Sequence, residues 1–140
     1  MSLRRAAILI VLAAAVGVAA SLQFGGSDEI PESGPPIVAV SVPTSLSAQA
    51  RLGQKSYDAN CAACHGQNAA GQDGIAPPLV HIIYEPSHHG DESFQRAVAQ
   101  GVRAHHWPFG DMAPVEGLTR RDVAEIIAYV RELQRANGIR

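Results

Sequence analysis

Both cysteines of this 140-residue chain fall in one pentapeptide, Cys61-Ala62-Ala63-Cys64-His65. No other feature constrains the fold so tightly. Two thiols at this spacing serve a disulfide, a metal ion or a covalently held group, and each use demands a different framework. A structural zinc ion takes four ligands, so two cysteines would need two histidines, and the pairs His88/His89 and His105/His106 lack the His-x3-5-His spacing. A thioredoxin-type disulfide belongs to a βαβ context in which the cysteines open a helix; here they close one. A structural disulfide at this short spacing is strained and leaves His65 without a role. What remains is a pair of anchors with an adjacent imidazole, which the rest of the chain must accommodate.

The chain divides by composition. After Arg4 and Arg5, residues 6–22 run without a charge, the pattern of a signal peptide or signal anchor over residues 1–26. Val18 and Ala20 place small residues ahead of Ser21, where cleavage is possible. Uncleaved, residues 6–24 are long enough, at ~1.5 Å per residue, to cross most of a ~30 Å hydrocarbon core. Residues 27–43 hold four prolines and three acids and read as a flexible tether, which suits an anchored domain better than a secreted one. Either way the expected location is the periplasmic side of the cytoplasmic membrane, with Arg4 and Arg5 inside. The domain itself is expected over residues 44–140. Its charge is balanced, with 11 basic and 13 acidic residues in the whole chain and no Lys/Arg cluster among aromatics, which argues against nucleic acid as a partner.

Three helices can be read in the domain. Ser45 or Ser47 can cap a helix on which Ala50, Leu52, Gly53, Tyr57 and Cys61 recur at roughly helical spacing. Residues 91–101 place Phe94, Ala97, Val98 and Gly101 on one face, with Asp91 and Ser93 available as caps. The last helix starts at Thr119, carries the stripe Val123, Ile126, Ile127, Val130 and Leu133, and stops at Asn137-Gly138; Arg121, Glu125, Arg131 and Glu132 form its opposite, charged face. No strand-like alternation of useful length appears. The fold class is therefore all-α with long Gly- and Pro-rich loops, which a packed core alone does not easily order. A large apolar cofactor would supply what the loops lack.

Cys-x-x-Cys-His is the attachment pattern of haem c. Two thiols at this spacing reach the two vinyl groups of one porphyrin as thioethers, and the next imidazole is delivered to the iron from the same side. At this point the chain resembles the class I mono-haem cytochrome c family, over roughly residues 46–136. Gly53 and Tyr57 ahead of the motif, Pro77-Pro78-Leu79 after it, and a C-terminal helix with Tyr129 follow the family's order along the chain. The resemblance implies three to five helices and long loops wrapped round one covalently attached haem c per chain. It implies Cys61 and Cys64 as anchors, His65 and Met112 as axial iron ligands, and the Pro77 carbonyl as the acceptor of a hydrogen bond from His65. Met112, the only methionine besides Met1, stands in a Pro-flanked loop before the last helix; a gap-filling core role, or His105 or His106 as the ligand in its place, are the other options. A His/Met pair favours Fe(II) and raises the reduction potential relative to bis-His ligation.

The function this implies is a one-electron carrier, not an enzyme, working between redox partners such as a quinol-oxidising complex, a dehydrogenase or a terminal oxidase. Two alternatives share the motif: an electron-entry subunit of an oxidase or dehydrogenase complex, and a haem enzyme or gas sensor with a displaceable distal ligand. Lys55 is the only lysine, so a weak apolar docking edge is expected in place of a lysine-rich rim. His81, His88, His89, His105 and His106 have no assigned role. Solvated polar residues, a secondary metal site from the two His pairs, or an approach of His106, Trp107 and Arg103 to the haem propionates are the readings they allow.

Overall fold

The periodic segments become four helices in the computed structural model, which describes residues 34–140. They are α1 (Ala48–Asn60), the single turn α2 (Ala62–His65), α3 (Asp91–Gln100) and α4 (Arg120–Ala136), with 3-10 turns at Gln67–Ala69 and Ile82–Tyr84. Among the described residues there are no strands, only isolated bridges at Gln72–Ala76 and Val102–Met112. The all-α expectation holds. The signal segment over 1–26 and the start of the expected tether lie outside the described residues. Within them, no helix is long and apolar enough to cross a membrane.

Ser47 starts α1 by accepting the Ala50 N–H, and Thr119 starts α4 through a reciprocal box with Asp122. Each cap satisfies backbone donors that the helix itself leaves unpaired. Ala50, Gly53 and Tyr57 on α1 then face Ile126, Tyr129, Val130 and Leu133 on α4 to form most of the core. Leu52, read with the apolar face, stands about half exposed. At the crossing a Cβ on Gly53 would overlap the Glu125 carbonyl. Only glycine lets the two backbones meet. One turn on, the buried Tyr57 and Tyr129 rings pack at 5.6 Å with a 58° tilt.

Arg131 is not on the solvent face of α4 as its neighbours suggested; it is buried. The segment 79–91 folds over that side of the helix, and Arg131 supplies the donors that this segment's carbonyls need. It donates to Tyr84 O (2.7 Å), His89 O (2.6 Å), the Gln134 amide oxygen (2.7 Å) and Asp91 (2.9 Å), while its guanidinium lies 4.9 Å from the Phe94 ring centre. Asp91 is thus spent on Arg131 instead of capping α3, whose N-cap is Gly90. Gln134, fully buried, adds bonds to Leu79 O and Tyr84 O.

Residues 35–41, expected as part of the tether, instead lie along the domain. Ile37 and Val38 N–H groups reach Ala70 O, Pro35 O accepts from Asp73, and Ser41 exchanges two hydrogen bonds with the Asn137 side chain. The apolar "IVAV" is the reason: Val40 packs on the core, which a solvated spacer would not do.

Two substitutions test this framework by urea denaturation. Gly53→Ala forces the helix crossing apart and is expected to cost about 1–3 kcal/mol or more. Arg131→Ala leaves the His89 carbonyl unpaired and frees the 79–91 segment, at an expected cost on the order of 2–3 kcal/mol.

Candidate functional site

The two-cysteine turn is built by the end of α1. Cys61 donates its N–H to Tyr57 O, and its own carbonyl accepts from both Cys64 N (3.1 Å) and His65 N (2.8 Å). Cys61, Cys64 and His65 therefore stand at i, i+3 and i+4 and share one face of a single helical turn. Gly66, at φ +72°, ends that turn in a left-handed conformation, and the buried Tyr57 hydroxyl fastens it by donating to Gly66 O at 2.9 Å. The Gln72 amide closes the other side through Ala62 O (3.1 Å) and Ala63 O (2.8 Å). None of these clamps is visible as a motif in the sequence.

Both thiols are free, Cys61 half-buried and Cys64 exposed. Burial, with a smaller contribution from Cys64, pushes the Cys61 thiol up to about 11. A redox-active Cys-x-x-Cys pair needs the reverse, a thiolate stabilised below the usual range. Cys61 receives no such stabilisation. His65 donates its Nδ1–H to the Pro77 carbonyl at 2.8 Å, which fixes the tautomer and leaves the Nε2 lone pair for a metal ion. Burial lowers the pKa of this ring, and the bond to Pro77 only partly offsets that. The imidazole is therefore held neutral, the state in which it ligates.

Met112 lies half-buried in the loop between α3 and α4, its N–H and C=O both paired with Val102 at 2.9 Å. Gly101, at φ +75°, lets the backbone pass against Met112 O and Pro114. The loop is thus closed at its base and presents one thioether. Its tip carries Trp107, whose ring stacks on Phe109 (5.7 Å) and meets His81 edge-on (5.2 Å). The indole N–H is buried and has no partner; the nearby Tyr84 hydroxyl does not reach hydrogen-bond geometry with it. A buried donor without an acceptor is rare in a finished structure. A porphyrin carboxylate is the kind of acceptor it lacks. Leu79, Ile83, Phe109, Met112 and Val115 are only half covered by polypeptide and Ile82 is mostly exposed, so this stretch also offers apolar surface for a flat cofactor. The residues present therefore fit a covalently anchored haem. A polar groove between α1, α3 and α4 lies elsewhere, and its charges are already paired as Arg120–Glu92 and Arg131–Asp91.

Comparison with protein families decides the matter: the cytochrome c family model matches residues 50–134. The chain belongs to the cytochrome c family. No curated protein matches it in sequence. The family binds haem c, typically covalently, its members are generally electron carriers, and Cys61 and Cys64 stand where its attachment motif places its cysteines.

The neutral His65 of this cytochrome makes stability depend on pH in a fixed direction. Unfolded, the ring titrates near ~6.5; folded, its pKa is lower, so below that point the unfolded chain binds more protons and stability falls as the pH falls. Urea midpoints measured from pH 8 to 5 should be flat above about 6.5 and drop below it, by at most ~1.4 kcal/mol per pH unit for one ring. His106, whose pKa is also lowered, adds to the same window, and a His106→Ala control separates the two. Glu92, held down by Arg120, and Asp122, held down by Thr119, act only below about pH 4.5.

Proposed function

We propose that this cytochrome is a one-electron carrier with one haem c per chain, attached through Cys61 and Cys64 and ligated by His65 and Met112. The bound haem supplies a one-electron Fe(III)/Fe(II) couple, and the polypeptide holds and tunes it. Cys61 and Cys64 fix the porphyrin to the turn that also carries His65, so anchor and proximal ligand move as one body. The Pro77 carbonyl, by accepting the Nδ1–H, keeps His65 in one orientation and raises its basicity toward the metal. Met112 offers a soft thioether that favours the reduced ion. Trp107, with its unpaired N–H, would donate to a propionate, and the half-covered apolar residues would keep exchangeable water away from the bound group. The observation that carries the reading is the 2.8 Å bond from His65 to Pro77 beside two free thiols on one helical turn.

The setting follows the N-terminal segment. Residues 6–24 hold the protein at the periplasmic side of the cytoplasmic membrane, where the carrier passes electrons between a quinol-oxidising complex or dehydrogenase and a terminal oxidase. With Lys55 as the only lysine, docking relies on a weak apolar contact at the haem edge and on transient encounters.

A pyridine-haemochrome spectrum of the protein expressed with haem-attachment machinery checks the covalent bonds. The ferric protein should show the weak far-red charge-transfer band of a thioether–iron bond. Met112→Ala should abolish that band, turn the iron high-spin and lower the reduction potential, within the ~0.8 V span that axial ligands control. A wild-type protein that already lacks the band and binds CO readily would instead be a haem enzyme or gas sensor.

A further inference from the structure

We propose that His88, His89 and His106 form a binding site for a divalent first-row transition ion of the imidazole-preferring class, Cu2+ or Zn2+, with a donor set distinct from Cys61, Cys64, His65 and Met112. One ring nitrogen from each of the three lies within 4.8 Å of the other two. Ring centres are 4.7 Å apart for His88–His89, 5.4 Å for His88–His106 and 5.2 Å for His89–His106. A tetrahedral ion with bonds of ~2.0–2.1 Å sets its nitrogen ligands ~3.3 Å apart, so the rings must close by up to about 1.5 Å. His88 and His106 are exposed and free to turn that far, while His89 is half-buried and held.

The arrangement around the rings is that of a metal site's supporting shell. His89 donates its Nδ1–H to the Ile83 carbonyl at 2.6 Å, which leaves Nε2 with its lone pair. Its backbone is held at both ends, the N–H on Glu85 O (2.8 Å) and the carbonyl on Arg131 (2.6 Å). The loop that carries His106 is closed by the Ala104 N–H on Asp111 (2.8 Å) and by the Val102–Met112 pair. His105 lies against His106 at 4.2 Å, but its Nδ1 is bonded to Arg103 O and it stands outside the convergent three.

The donor set selects the ion. Among the described residues no carboxylate joins the convergent group; Asp91 is bound by Arg131, Asp111 accepts from the Ala104 N–H and Glu85 from the Ser87 hydroxyl. Three imidazoles without an oxygen ligand suit Cu2+ and Zn2+ and do not suit Ca2+ or Mg2+. By the usual affinity order Cu2+ binds more tightly than Zn2+. A fourth position opens to solvent through the exposed His88 and His106. Mechanically, the ion would fasten the loop bearing Met112 to the 85–90 turn, which Arg131 already ties to α4.

The test is calorimetric titration of the haem-loaded, tag-free chain with CuCl2 and, separately, ZnCl2, with MgCl2 as control. Haem loading consumes the Cys61 and Cys64 thiols, which would otherwise bind either ion. Should no haem attach, the thiol-alkylated chain is titrated instead, so a failure of the haem reading does not touch this one. Saturable binding of one Cu2+ or Zn2+ per chain is expected, weakened about tenfold or more in His88→Ala and in His106→Ala and unchanged in His105→Ala. Both ligand variants alter exposed side chains, so they retain the fold, which thermal melting verifies. Nitrogen superhyperfine couplings in the Cu2+ electron paramagnetic resonance spectrum should disappear in the double variant. Absence of saturable binding, equal affinity in the ligand variants, or dependence on His105 alone would overturn the proposal.

Discussion

The contact of α1 with the backbone of α4 at Gly53 is the constraint on which the other placements depend. With no side chain between them, the helices meet closely enough for Tyr57 and Tyr129 to interlock in the core. The Tyr57 hydroxyl then donates to the Gly66 carbonyl, at the residue where the two-cysteine turn stops. From the same turn, His65 reaches the Pro77 carbonyl. A packing event between two helices thus determines the direction of an imidazole that belongs to neither helix's core. Because the interface is close-packed, a disturbance of the crossing is transmitted to the ligand rather than absorbed.

The other half of the molecule is organised by buried polar groups. α4 sends Arg131 and Gln134 into the carbonyls of residues 79–89, and Gln72 does the same for the helical turn at Ala62 and Ala63. Long loops cannot bury enough apolar surface to order themselves, and their backbone carbonyls need donors once they leave water. One guanidinium with several fixed donors satisfies this economically, since its planar fork loses little further freedom for each bond it makes. The consequence is a loop region that is ordered yet still leaves Leu79, Ile83, Phe109 and Met112 half covered. That is the state expected of a wall whose remaining contact surface belongs to a cofactor.

How legible each part was follows from this division. The helices, their caps at Ser47 and Thr119, and the α4 stripe were readable because burial at 3.6-residue spacing and capping chemistry are local signals. Helical spacing put Gly53 and Tyr57 on one face of α1, but their roles at the crossing, and those of Pro77 and Tyr129, were readable only through the order of a family's motifs, since no local rule says which glycine marks a crossing. Arg131 was misread because it sits beside Val130 at the edge of the stripe, and charge at such a position normally faces water; only the fold of residues 79–91 over that edge reverses the expectation. Pro-rich composition misled in the same way at residues 35–41, where backbone bonds to Ala70 and Asn137 outweigh the tendency of such sequences to stay solvated. In each case the missing information was a long-range partner.

His65 and Met112 consequently sit on supports of different construction. His65 is embedded in a helical turn closed by Tyr57, Gln72 and Gly66, and its hydrogen bond to Pro77 spans two segments of the rigid half. Met112 is carried by a loop held by its backbone bridge to Val102, by the Val115 N–H on Val98 O, by the Ala104 N–H on Asp111 and by the approach allowed by Gly101. In the carrier proposed above both iron bonds would have to stay intact in both oxidation states, so a thioether bond from Met112 would depend on how tightly that loop is held. The bridge restrains its base, whereas the tip from Arg103 to Gly110 is held by the Ala104 N–H on Asp111 and by Trp107 against His81, with Phe109 stacked on the indole within the tip. Trp107 accordingly braces the loop that carries Met112 through its contacts with His81 and Phe109, and its indole N–H is left buried and unpaired.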